Sequence, residues 1–97
     1  MKKPITVLAA LALLVLPTAG WAACFADYKA KKDDPLQLHY GIMELPDSIC
    51  EDKRATERAV SERIGKDGWT LLTVMSVFGE EGLEKREESA GAYFLRY

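Results

Sequence analysis

The chain predicts an α+β domain: a small three-stranded sheet with one helix packed on one face, in the order β-α-β-β, preceded by a signal peptide. Three observations carry that expectation. Leu36 to Ile42 alternates apolar and polar residues, Ser48 to Ile64 combines a helix start signal with helical spacing, and two later runs are rich in β-branched and aromatic residues. Ninety-seven residues, 48% of them apolar, make room for one domain and supply the side chains for its core.

The first segment reads as an address. Met1-Lys2-Lys3 is a short basic start, Ile5 to Leu16 is uncharged, and Pro17 precedes a group of small residues ending at Ala22. That is the layout of a secretory signal. The apolar run is shorter than the roughly 20 residues that span a bilayer. Cleavage is expected near Ala22, so residues 1–22 are a signal peptide, 23–35 an N-terminal arm and 36–97 the β-α-β-β domain of a periplasmic or secreted protein. Trp21-Ala22-Ala23-Cys24 also has the small residues and cysteine of a lipoprotein box, with Trp21 where an aliphatic residue is usual. Used that way, Cys24 would be lipidated, and only then would the protein sit on a membrane.

In an oxidising compartment the two cysteines, Cys24 and Cys50, most simply form one disulfide. The alternative is a reactive thiol at Cys50, placed in the first turn of a helix. No CxxC is present, and Cys24, Cys50 and the single histidine, His39, lack a fourth metal ligand. No metal and no cofactor are expected.

Each element has its own signal. Cys24 to Asp34 is a polar arm, with Phe25 and Tyr28 able to lie on the core. From Leu36 to about Leu45 a strand puts Leu36, Leu38, Tyr40 and Ile42 on one face. Ser48-Ile49-Cys50-Glu51 fits a capping box, followed by a helix with Ile49, Thr56, Val60 and Ile64 on its apolar side. Trp69 to Phe78 is apolar on both faces, as a central strand would be. Gly79 to Ser89 is a charged connection, and Ala90 to Tyr97 a closing strand.

Loss of residues 1–22 removes Lys2 and Lys3 and no acid, which leaves eleven basic against fifteen acidic residues. A nucleic-acid partner needs a concentrated basic face, and here the lysines of the arm are followed at once by Asp33 and Asp34. No nucleic acid is expected. One helix covers one face of such a sheet, so apolar side chains on the other face call for a homodimer or a protein partner in the cell envelope. Trp69, Tyr40 and Tyr93 are the candidate interaction surface, Trp69 serving either as an anchor or as core packing. His39 stands on the face opposite Leu38 and Tyr40 as a polar-face residue with no Ser or Asp to make it a base. The glutamates from Glu80 to Glu88 alternate with Lys85 and Arg86 on a loop, whereas general acid–base chemistry needs a fixed, desolvated site. No catalytic residue is assigned. The expectation is a binding or assembly module without catalytic activity. A tethered envelope lipoprotein and a thiol-dependent enzyme are the alternatives.

Leu38 to Leu45, then Gly65-Lys66-Asp67-Gly68-Trp69-Thr70-Leu71-Leu72-Thr73-Val74 and Ala92-Tyr93-Phe94-Leu95-Arg96-Tyr97, resemble a family of small bacterial domains of unknown function. Its members show "YKVVELP", a helix, "GAEGWELVSV" and a final "YILKR". The resemblance implies a β-α-β-β fold in an exported version and no assigned activity. In layout alone the chain is also similar to YdgH-type periplasmic stress proteins.

Overall fold

Cys24, Ala26, Tyr28 and Ala30 alternate with Phe25, Asp27 and Lys29, and this period of two builds the middle of the sheet. The structure, a computed structural model, describes residues 23–97; the expected signal peptide lies outside the described residues. Strand β1 is Cys24–Lys32, β2 is Gln37–Leu45, helix α1 is Lys53–Gly65, β3 is Thr70–Phe78 and a short helix α2 is Glu84–Ala90. The sheet order is β2-β1-β3, and β1 runs antiparallel to both neighbours.

The protein is thus an α+β domain with a three-stranded sheet and α1 on one face, as the sequence predicts, but the strands follow a different order. The expected N-terminal arm supplies the central strand, and the order is β-β-α-β. Trp69 to Phe78 becomes an edge strand instead of the central one. Residues 90–97 are not a strand. They make a 3-10 turn, Gly91–Tyr93, and one isolated parallel bridge, Phe94 to Ile42 on the outer edge of β2. With β1 already hydrogen-bonded on both sides, the C-terminus could meet the sheet only at an outer edge, and it takes that of β2.

The helix begins later than the capping box predicts. Ser48 lies in a 3-10 turn, Asp47–Ile49, and Asp52 is the N-cap, its carboxylate accepting from the Ala55 amide at 3.0 Å. Cys50 precedes the helix because it is bonded to Cys24 at the start of the central strand. Downstream, the charged connection is not a loop. Leu83, Arg86 and Ala90 recur at helical spacing and turn α2 onto the sheet.

Two cores result, one on each face. Beneath α1, Cys24, Ala26, Tyr28 and Ala30 meet Met43, Leu45, Val60, Ile64 and Trp69. Ala26 and Ala30 are small enough for the helix to approach the sheet. Val60 and Ile64 are fully buried, which stabilises by about 1.5–3 kcal/mol each. On the other face Phe25, Ile42 and Ala90 pack with Tyr40, Phe78, Leu83 and Phe94. The β2 side chains that meet α1 are therefore His39, Met43 and Leu45, not the alternating set that begins at Leu36 and Leu38. Leu36 and Leu38 stay 65% and 66% exposed.

Gly41 explains that register. A Cβ built there would stand 2.5 Å from Tyr28 Oη and 2.9 Å from its ring edge, so the phenol lies across bare backbone. Gly41→Ala should destabilise by about 1–3 kcal/mol, because the fully buried Tyr28 has nowhere to move. Chemical denaturation against the wild type measures this, and a neutral result would mean that the ring is free to shift.

Candidate functional site

His39 is buried to 8% exposure under a cage of aromatic rings. The Tyr93 ring stacks on the imidazole at 3.7 Å between centroids and 9° between planes, and Trp69 meets it edge-on at 4.3 Å. Tyr28 Oη lies 3.0 Å from Nε2, while Nδ1 has no hydrogen-bond partner among the described residues. Burial, together with the cations Arg96 and Lys32 nearby, pushes the imidazole from 6.5 down to about 4. Burial likewise raises the Tyr28 phenol above its ordinary value. His39 is thus a core residue held neutral, where the alternation had suggested an exposed polar face. At neutral pH a base could act only on a group that reached it, and rings fill the space.

The opposite face holds a second polar group. Asp27, 5% exposed, accepts from Ser76 Oγ at 2.6 Å, Tyr40 Oη at 2.7 Å and Arg86 Nε at 3.3 Å. Burial alone would raise its pKa, but these donors outweigh it and hold the carboxyl below its ordinary value. Burial and the Asp27 carboxylate push Tyr40 up to about 12. Arg86 also lies over the Phe78 ring at 4.0 Å and donates to the Gly82 carbonyl at 2.8 Å. Every member is satisfied, which describes a clamp that fixes α2 rather than a reactive centre.

The three candidate interaction residues do not form one surface. Trp69, 6% exposed, and the half-buried Tyr93 belong to the His39 cage, whereas Tyr40 faces the other way and donates to Asp27. Cys24 and Cys50 are joined, as expected, and neither is free. A structural disulfide of this kind belongs to a non-cytoplasmic, oxidising compartment. Among the described residues no helix is long and apolar enough to cross a membrane, and no group of three or more His, Cys, Asp or Glu could hold a metal ion.

One surface is apolar and open. The short α2 covers only the end of the sheet around Phe25, Ile42 and Phe78. Beyond it Lys29, Ala30, Leu38, His39, Tyr40 and Leu72 line a shallow groove of about 290 Å³, with Leu72 51% exposed. Leu72 and Met75 are the extra residues of two register shifts in β3, where Asp27 pairs with Ser76 but Tyr28 with Val74, and Lys29 with Thr73 but Ala30 with Leu71. Such bulges twist an edge strand away from further strand pairing and turn side chains outward. The sequence signal for this groove was the apolarity of β3 on both faces, which suits a bulged edge as well as a central strand.

Compared with known proteins, the chain matches no family model, no curated protein and no solved structure.

Proposed function

We propose that this is a small exported binding or assembly module of the bacterial cell envelope, periplasmic after cleavage near Ala22, acting without catalysis or cofactor. Its docking surface is the half of the sheet that α2 leaves bare, and its occupant is a second copy of the same chain. The observation that carries this reading is the groove of Leu38, Tyr40 and Leu72, extended by Leu36. It is an apolar patch in which Leu38 and Leu72 stay 66% and 51% exposed.

Charge favours a second copy over an unrelated partner. The bare half carries Lys29, while α2 beside it exposes Glu84, Glu87 and Glu88 against one exposed lysine, Lys85. Two copies laid face to face about a two-fold axis bring the apolar halves together and set each acidic helix toward the other copy's Lys29. Both alternatives, a lipoprotein tether at Cys24 and thiol chemistry at Cys50, need a sulfur that the disulfide holds.

Sedimentation over a concentration range at neutral pH tests the docking surface. The wild type is expected to dimerise, and Leu38→Asp with Leu72→Asp should raise the dissociation constant at least about tenfold, roughly 1.4 kcal/mol. A monomer at every concentration would end the self-association reading. Intact mass from fractionated cells tests export, a chain beginning at Ala23 and two hydrogens light being the expected species.

A further inference from the structure

The C-terminal residues form a strap that passes around the edge of β2. It hinges at Gly91, whose φ of 54° and ψ of −123° are open to glycine and strained for other residues. From there Phe94 bridges Ile42 and packs on the α2 face, the Leu95 amide donates to the Ile42 carbonyl at 2.9 Å, and Tyr93 returns over His39 on the α1 face. Tyr97 fastens the end, its hydroxyl donating to Asp67 Oδ2 at 2.6 Å. Leu95 holds a left-handed φ of 55°, a conformation that leucine adopts only against a steric bias. Few bonds thus secure a segment that closes both the β2 edge and the aromatic cage.

We propose that the strap Gly91–Tyr97 is an acid-released cover, closed while His39 is neutral and opened when His39 gains a proton, freeing the β2 edge at Ile42 and exposing Trp69. The geometry carries this inference. The neutral imidazole fits the cage in its Nε2–H tautomer, in which Nε2–H donates to Tyr28 Oη at 3.0 Å and the unpartnered Nδ1 carries no hydrogen. A proton on Nδ1 would be a buried donor with no acceptor, and the ring would carry charge. Among the groups that face it there is no free carboxylate to balance that charge. From β1 come Tyr28 and Lys32, the latter over Trp69 at 4.7 Å. From the strap come Tyr93, Arg96 and Tyr97, with the Arg96 guanidinium 5.4 Å from the Tyr93 ring. α1 turns Val60 and Ile64 to this face, and Asp67 is engaged by Tyr97. Lifting the strap removes Arg96 and the stacked Tyr93 together and lets water reach the ring.

The direction and range of the effect follow from the two states of the imidazole. Closed, it titrates at about 4, and solvated in the open form it returns toward 6.5. Opening is therefore flat above pH 6.5, grows as pH falls between those values and levels off below 4. At pH 5 the open-to-closed ratio should be about 30-fold higher than at pH 7.5. The inference does not rest on the docking groove, although His39 also borders it.

Hydrogen exchange by NMR on the intact, oxidised protein tests it, with rates corrected for the intrinsic pH dependence. The Leu95 amide should lose about 30-fold in protection between pH 7.5 and 5 while the β1 amides of Ala26 and Tyr28 keep theirs. In His39→Phe, which keeps a ring under Tyr93 and cannot titrate, that loss should vanish. Equal loss in the variant, or none in the wild type, overturns the proposal. Should His39→Phe fail to fold, Arg96→Gln decides. Without that cation the imidazole signals and the Leu95 opening should titrate together at higher pH, and an unmoved midpoint refutes the switch.

Discussion

Removing the disulfide, by replacing Cys24 and Cys50 with alanine, is expected to lower the unfolding free energy by about 3.5 kcal/mol on the chain-entropy account of loop closure. The two cysteines are 26 residues apart, and the loop they close holds the entire β1–β2 hairpin. Cys24 is the first residue of the central strand, and Cys50 ends the turn that leads into α1. The bond thus joins the middle of the sheet to the foot of the helix that covers it. A chain of this size draws only about 3–5 kcal/mol from its core, so the loss approaches the whole stability of the domain. Urea denaturation of the oxidised protein and of the alanine pair should differ in midpoint by roughly 3 M, at a slope near 1 kcal/mol per molar. A difference under 1 M would show that the ladders on either side of β1 suffice. The expected result ties folding to an oxidising compartment, where such bonds persist.

The parts of this fold that could be read from sequence are those with a strong local signal. Val60 and Ile64 repeat at helical spacing and lie at the centre of the α1 core. Leu71 to Phe78 is β-branched and aromatic, and it forms a strand. The cysteine pair could be read from its count and its compartment. Parts decided by competition between distant segments could not be read. Cys24 to Lys32 and Ala90 to Tyr97 both have strand-like alternation, and nothing local says which will stand between β2 and β3. The disulfide and the Asp27 network decide it, because only the first can place Cys24 beside Cys50 and a carboxylate beside Ser76, Tyr40 and Arg86.

The site was harder to read for the same reason. At the start of β2, Leu38 and the preceding Leu36 suggested that their face was the covered one. Tyr28 reverses this, because its ring needs the gap above Gly41 and takes His39 as its hydrogen-bond partner on that side. A histidine in a strand carries no mark of burial. Only its neighbours in space, Trp69 from the turn after α1 and Tyr93 from the strap, turn it from a surface residue into a neutral core group. The glutamates of the last third likewise hide Leu83, Arg86 and Ala90, whose common face becomes visible once there is a sheet for it to meet.

Replacing Asp27 with alanine should cost at most about 3–5 kcal/mol, the range for breaking a fully buried ion pair from one side, because the Arg86 side chain keeps 22% of its surface exposed. The loss has three parts: Arg86 keeps its charge against Phe78 with no counter-ion, and the hydroxyls of Tyr40 and Ser76 lose their acceptor. α2 would come loose first, since Arg86 is its only ion pair to the sheet among the described residues. Asp27→Asn separates shape from charge. Its amide oxygen can still accept from a hydroxyl but cannot neutralise Arg86, so the expected cost is smaller, about 1–3 kcal/mol. The acid limb of stability then gives an independent reading. The folded carboxyl titrates below its ordinary value of 3.8, so its contribution is complete above that pH and is lost as pH falls through the lower folded value. The wild type should therefore lose stability steeply below pH 4, and Asp27→Asn should lose less over the same interval. Opening of the strap through His39 belongs between about 4 and 6.5. A denaturation series from pH 7.5 to 3 thus shows two separate steps, the higher abolished by His39→Phe and the lower blunted by Asp27→Asn. If Asp27→Asn instead left the lower step unchanged, the acid sensitivity would belong to another carboxyl, and the clamp on α2 would have to be sought in the packing of Leu83 and Ala90.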